Sequence, residues 1–328
     1  MSRPQPAIFV EEVALHSHLE FSVPPEVGTA DVRAAMTSAR QAATTMRGPN
    51  IVWGFSPRIW EQLSPGTLPD NVHPFEGITG TGGLSAPATQ SDIWVWLQGN
   101  LWEKVWHATT AVKGALASQL VLDHSLDAFI GADNRDPIGF IDGTENPAVD
   151  EAVEISVVPD GQVGAGGVPV LVQKYVHNLA KFDGLTVHEQ EDVFGRTKLE
   201  SIQLDDDVMP ATSHVSRNTI HDAQGQERHI YRRNTPFADA EVAGSQFIGC
   251  AWDVDRIDTM LSRMFGTAGD GLTDHFLQYS TPVTGSYYWA PSMDDLERVF
   301  GSLEADDDDD TSPAATGGSL GIGALRES

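Results

Sequence analysis

The chain has 328 residues, room for two domains of ordinary size and for a substantial core. Its 20 Lys and Arg face 47 Asp and Glu, a formal net charge of −27 that repels nucleic acid and anionic lipid and excludes polyanion binding as the main business. A hydrophobic content of 40% with eight Trp fits a packed globular chain and excludes a disordered one.

From Asp31 to Met46, the residues Val32, Ala35, Met36, Ala39, Ala43 and Met46 share one stripe, which predicts an amphipathic helix stopped by Gly48-Pro49-Asn50. Ile51–Phe55 reads as a short buried strand, and a loop rich in Pro and Gly runs from about Ser64 to Thr89. Ile93–Leu97 reads as a strand, followed by a helix with Leu101, Val105, Val112 and Leu116 inward. Leu120 to Ile130 is either a further strand or the end of that helix, and the strand is the preferred reading. The second half repeats the grammar. Val168–Val176 is a strand, and Thr186 with Glu189 has the spacing of a capping box. Gln246–Trp252 is another strand, and Asp253–Phe265 a helix with Ile257, Leu261 and Met264 in step. Strand-then-helix pairs in corresponding places predict an α+β fold of two domains, each an antiparallel sheet with helices on one face. The boundaries expected are 1–150 and 151–303.

Beyond Leu303 the character changes. Residues 304–328 carry seven acids against one base, with five consecutive aspartates from Asp306 to Asp310. Residues 304–317 cannot bury enough surface to offset the entropy of ordering, so they read as an acidic flexible linker. Residues 318–328 follow, with Leu320, Ile322 and Leu325 on a glycine-broken background. One cysteine, Cys250, forbids an internal disulfide and makes no Cys-based zinc site alone. The start of the chain lacks a basic region followed by an apolar one, and no run of eighteen apolar residues occurs. The expectation is a soluble protein of a reducing cytoplasm.

The chemistry concentrates in four stretches. Pro137–Pro147 (PIGFIDGTENP) sets Asp142 in a G-x-x-D-G loop, with Gly143 directly after it. Such a loop is either a tight turn whose Asp bonds its own backbone or a carboxylate brought close to a ligand. His214 lies in Ser213-His214-Val215, eighteen residues before Arg232-Arg233-Asn234. Asp274 opens a segment running through Leu277 and Thr281 to Thr284-Gly285.

In this order and spacing the four stretches resemble the dye-decolourising peroxidases, haem enzymes, and most of all their compact bacterial branch. The resemblance spans about residues 8 to 302. It implies a duplicated ferredoxin-like α+β fold, with one haem b per chain bound mainly by the C-terminal half. It implies His214 as the proximal iron ligand, Asp274 as the acceptor from its other ring nitrogen, and Gly143 against the cofactor. Asp253 and Asp270 stay open as rivals to Asp274. On the distal side it implies Asp142, Arg232 and Asn234. Arg232 would hold the peroxide anion or pair with a haem propionate, Asp142 would carry the proton, and Asn234 would orient the peroxide or its water. An Asp titrating near pH 3.9 serves as base in mild acid unless burial raises it. Arg233, on the opposite side of a strand, reads as a surface charge. The implied reaction reduces hydrogen peroxide and oxidises bulky organic donors such as dyes and phenols by one electron. Surface Trp252, Trp289, Tyr287 and Tyr288 are candidates to pass the electrons.

Residues 318–328 resemble the cargo-loading peptide that encapsulin shells recognise, which implies a shell-protein partner and residence inside a cytoplasmic nanocompartment. The family resemblance also implies a homo-oligomer, a dimer or hexamer; no nucleic-acid or membrane partner is expected. The main alternative is a haem-binding or haem-handling protein with incidental peroxidase activity, which has no need of the Asp142, Arg232 and Asn234 set. A chlorite-dismutase-like enzyme lacks the G-x-x-D-G loop. A non-haem site on His16 and His18 lacks further ligands at suitable spacing, and a purely structural cargo protein leaves the four motifs without purpose.

Overall fold

A computed structural model describes residues 2–44, 49–131 and 133–303. The predicted linker and terminal peptide, and Met46 of the first helix, lie outside the described residues. The first half runs β1 (Leu15–Ser22), α1 (Thr29–Thr44), β2 (Asn50–Phe55), α2 (Pro57–Leu63), β3 (Ile78–Thr79), β4 (Ser85–Ala86), β5 (Ile93–Gly99), α3 (Trp102–Leu116) and β6 (Val121–Phe129). After α4 (Val149–Ser156) come β7 (Val168–His177), α5 (Leu179–Asp183), α6 (Val187–Phe194) and α7 (His214–Asn218). The chain closes with β8 (Tyr231–Ala238), β9 (Ala243–Cys250), α8 (Asp255–Met264), β10 (Ser280–Pro282), β11 (Ser286–Ala290) and α9 (Met293–Phe300).

The sheet order is β6-β1-β5-β2-β11-β7-β9-β8, antiparallel throughout, with β10 added on β7. Each half of that order places the fourth strand beside the first, then the third, then the second, which is the ferredoxin-like arrangement twice over. The two units join edge to edge where Trp289 of β11 pairs with Phe55 of β2.

Period-2 alternation divides the side chains between two cores. Ile93, Val95 and Leu97 of β5 face the helices with Phe55, Leu171 and the buried stripe of α1, whereas Trp94 and Trp96 face the opposite core with Val52, Val170, Val172 and Tyr288. Both faces are covered, so β5 reads as a continuous apolar run instead of alternating with polar residues. The stripe predicted for α1 is buried as expected, together with Arg40, which caps the carbonyls of Leu296 and Gly301. Thr186 and Glu189 form the reciprocal capping box that starts α6. Leu101 was expected inward but precedes α3 and is exposed, while Ala108 takes the inward place.

In the second unit the connection between β7 and β8 is long and carries α5, α6 and α7. That insertion lays α7, which begins at His214, beside α8. No helix among the described residues is long and apolar enough to cross a membrane.

Candidate active site

A cavity of about 800 Å3 opens between the loop before α4, strands β7 to β9 and helices α7 and α8. Its wall includes Asp142, Gly143, His214, Arg232 and Asn234, so most of the residues singled out from the sequence converge on one space. Asp274 stands directly behind His214.

His214 is the first residue of α7, whose N-cap Ser213 accepts from the Ser216 amide. Its Nδ1 lies 2.7 Å from Asp274 Oδ2. The other oxygen of Asp274 accepts from the Phe276 amide at 2.9 Å, so the carboxylate is fixed at both ends and fully buried. Asn218, one turn on, donates to the His214 carbonyl at 2.7 Å. With Nδ1–H committed to Asp274, Nε2 is the ring nitrogen left for the cavity. Phe276 and Phe194 pack on the imidazole at 5.2 and 5.6 Å between centroids. The rival acids are engaged elsewhere: Asp270 pairs with Arg217 at 2.7 Å and Asp253 with Arg228 at 2.5 Å.

The Asp142 loop is a hairpin held by its own backbone. Asp136 N donates to Phe140 O at 2.9 Å, and Asp142 N donates to Asn134 O at 2.8 Å, while Asn134 Nδ2 donates back to Asp142 O at 2.7 Å. Gly143 has φ +76°, a conformation that strains any residue with a Cβ, so glycine is required just where the backbone turns along the cavity. Arg135 binds the carbonyls of Gly139, Lys198 and Leu199, and Arg196 pairs with Glu145, tying the hairpin to the segment after α6. Asn146 acts as an extra rung on the edge strand β8. Its Nδ2 donates to Arg232 O at 2.6 Å and its Oδ1 accepts from Arg232 N at 3.0 Å. The loop that carries Asp142 is thereby registered against the strand that carries Arg232 and Asn234.

Asp142 Oδ2 accepts from Asn234 Nδ2 at 2.8 Å. The Asp142 side chain is therefore not spent on its own turn. Burial against the protein, with the charge of Asp136 adding to it, pushes its carboxyl up to about 8, and the Asn234 hydrogen bond only partly opposes this. Asp142 lies on the cavity wall and as a whole residue keeps some accessible surface, although protein surrounds its carboxyl. The Asn234 amide nitrogen is occupied, and its Oδ1 is buried without a partner among the described residues. The Arg232 guanidinium makes no hydrogen bond to another described residue; burial lowers its pKa to about 10, so it stays charged at neutral pH.

Two expectations are corrected. Arg233 does alternate with Arg232, but it is not a surface charge: it is buried, binds the carbonyls of Ile8 and Val10, and stacks over Trp96 at 5.3 Å. Tyr287, Tyr288 and Trp289 lie on β11 in the middle of the sheet and are at most 1% exposed, so they are not surface electron donors, and Trp252 is half-buried. The exposed tryptophans are Trp102 and Trp106 on α3, at 48% and 49%. His16 and His18 are buried among Trp94 and Trp96 and form no metal-ligating cluster among the described residues.

A family model described as the Dyp-type peroxidase C-terminal domain matches residues 133–295. The chain is 36% identical over 282 residues to a dye-decolorizing peroxidase of Mycobacterium tuberculosis, an alignment covering 85% of this chain and 82% of the relative. Its fold matches a variant of Rhodococcus jostii DypB in complex with haem at a TM-score of 0.83 and 32% identity, over 90% of this chain and 97% of that one. It also matches the encapsulated DyP-type peroxidase of Mycobacterium smegmatis at a TM-score of 0.84 and 33% identity, over 90% and 98% of the two chains.

Proposed function

The chain belongs to the dye-decolourising peroxidase family, and on that premise we propose that it reduces hydrogen peroxide at a haem b held by His214 while oxidising bulky organic donors one electron at a time. One observation carries the reading. A histidine ring nitrogen, a guanidinium that makes no hydrogen bond to another described residue and a carboxylate–amide pair line a single cavity whose other walls are largely apolar.

The residues present fit haem. About 800 Å3 lies within the range of cofactor sites. Phe194, Phe276, Met260, Leu261 and Met264 supply apolar wall for a macrocycle, and His214 Nε2 is a nitrogen donor suited to iron. The Arg232 guanidinium on the cavity wall, charged and without a hydrogen bond to another described residue, suits an anionic or polar ligand group. When bound, haem supplies the redox chemistry: peroxide withdraws two electrons and two donors return them singly, so that one peroxide and two donor hydrogens give two waters and two donor radicals.

The chain's own residues do the rest. Asp274 holds the Nδ1 proton of His214, which orients the ring and makes Nε2 a stronger donor. Arg232 holds the peroxide and stabilises the negative charge that develops on the departing oxygen. Asp142 takes the first peroxide proton and returns it to that oxygen. With its carboxyl near 8, Asp142 is mostly protonated at neutrality, so its work as a base should grow as pH rises toward 8. Asn234 holds Asp142 in place through its amide nitrogen and by that contact helps orient peroxide or its water. Gly143 lets the loop backbone turn along the cavity wall, where it would help hold the cofactor.

His214→Ala is the direct test. The variant should bind haem weakly and recover its spectrum when imidazole is supplied; full haem occupancy with an unaltered spectrum would end the assignment.

We further propose that the enzyme is packaged in an encapsulin shell through residues 318–328, as a dimer or hexamer. Support comes from the apolar spacing of Leu320, Ile322 and Leu325 and from the encapsulated relative. Each peptide contact is weak and several copies on one oligomer raise retention. Co-expressed with shell protein, the full chain should be enclosed, whereas a chain ending at Leu303 should stay active and outside. Equal enclosure of the two rejects the peptide as the address.

A further inference from the structure

Behind Asp142 stands a second carboxylate, Asp136, that the reading above does not use. It is 7% exposed and faces four donors, three of them on strands β7, β8 and β9 and one in its own loop. Ser245 Oγ on β9 donates to it, His177 Nε2 on β7 lies 3.1 Å from Oδ1, the Ile138 amide donates to Oδ1 at 3.1 Å, and Asn234 Nδ2 on β8 lies 3.4 Å from Oδ2. His177 is buried too, and its Nδ1 sits 2.8 Å from Ser280 Oγ; a serine hydrogen bond to Nδ1 leaves Nε2–H pointing at Asp136.

The two carboxylates thus share one amide on unequal terms. Asp136 has a serine, a histidine and a backbone N–H besides Asn234, whereas Asp142 has Asn234 Nδ2 as its side-chain donor among the described residues. Donors stabilise the ionised form, and a neighbouring carboxylate that keeps its charge forces the other to keep its proton. The remaining ionisable groups of the wall do not reverse this. Arg233 is spent on carbonyls, the Tyr175 hydroxyl on Gln173, and His214 on Asp274. Glu11 and Glu12 stand exposed on the wall, and Arg232 makes no ion pair with Asp142 among the described residues.

We propose that Asp136, bonded by His177 and Ser245 and set beside Asp142 by the donor Asn234 that both carboxylates share, is a positioning residue whose negative charge opposes loss of the Asp142 proton. The inference rests on the reading of Asp142 as the group that moves the peroxide proton. Asp136 touches neither peroxide nor cofactor in that scheme; it decides at which pH Asp142 becomes a base. The raised carboxyl of Asp142, to which the charge of Asp136 contributes, agrees with the geometry.

Infrared difference spectra of the haem-free full chain, titrated from acid to alkaline pH, test this without any turnover. The wild type should lose a protonated-carboxyl band near the upper end of the neutral range, and Asp142→Asn should lack that band. In Asp136→Asn the midpoint should fall by at least one pH unit, and Asp136→Glu should restore it. The pH limb of the peroxide reaction in the haem-loaded protein should move with it. An unmoved midpoint in Asp136→Asn, or a wild type with no such band above pH 5, overturns the proposal. Should Asp136→Asn not fold, carboxyl carbon NMR on the wild type decides: Asp142 must keep its proton into the neutral range, and its loss below pH 5 overturns the proposal. Failure of the peroxide reading itself would be seen separately, as parent-rate peroxide reduction in Asp142→Asn and Arg232→Leu.

Discussion

Replacing Asp142 by Asn isolates one proton. The folded carboxyl is raised from 3.8 to about 8, chiefly by burial and then by Asp136. A raised carboxyl means that the folded chain binds this proton more tightly than the unfolded chain does. The stability it lends is whole below about pH 4, falls as pH rises, and is gone above about pH 8. Four pH units correspond to about 5 kcal/mol at most, and the accessible surface that Asp142 keeps on the cavity wall reduces this to roughly 2–4 kcal/mol. Asn at 142 keeps the Asn234 hydrogen bond through its own carbonyl and does not titrate. Urea denaturation of haem-free wild type and variant at several pH values measures the difference, in which groups that do not interact with Asp142 cancel. The variant should gain about 2–4 kcal/mol on the wild type between pH 4 and pH 8 and then run parallel to it. Parallel curves over the whole range would refute the buried-proton account of Asp142.

Arg232→Leu should slow the reaction with peroxide about 100- to 1,000-fold, as expected for removing one charged partner of the transition state, with haem still bound; stopped-flow absorbance reads this directly. Asn146→Ala removes both hydrogen bonds between the Asp142 loop and the backbone of Arg232, and should lower peroxide reactivity about 10-fold or more while costing roughly 1–3 kcal/mol of stability. Unchanged kinetics in that variant would show that the loop is registered by other contacts. Asp274→Asn should weaken His214 as a donor and raise the reduction potential of the bound haem, measured by a redox titration; an unchanged potential contradicts the role given to the 2.7 Å contact.

What was legible in the sequence was what local pattern encodes. The stripe of α1, the capping box of α6 and the strands around Trp94 and Ile248 follow from periodicity and cap chemistry, and they survive in the structure. The convergence of Asp142, His214, Arg232 and Asn234 came from motif order, since their separation of up to 92 residues makes no local signal. Asp136 and His177 were missed for a physical reason. Asp136 sits one residue before the motif and His177 at the end of a strand, and only sheet register brings them to Asn234. Alternation placed Arg233 opposite Arg232 correctly, but no pattern showed that the N-terminal segment at Ile8 and Val10 covers that side. The same holds for Tyr287, Tyr288 and Trp289, whose burial comes from β11 lying between β2 and β7. Asn146 had a visible position before Pro147, yet its service as a backbone surrogate for an edge strand is a tertiary fact.

The central claim is that one cavity holds haem on His214 and activates peroxide with Arg232 and Asp142. Its most direct test is the absorption spectrum of the purified haem-loaded chain before and after one equivalent of hydrogen peroxide, followed by an organic donor. The account predicts an immediate change of the haem bands that a donor reverses in two one-electron steps, and a much slower change in Arg232→Leu. A spectrum that peroxide leaves unaltered in the wild type would contradict it.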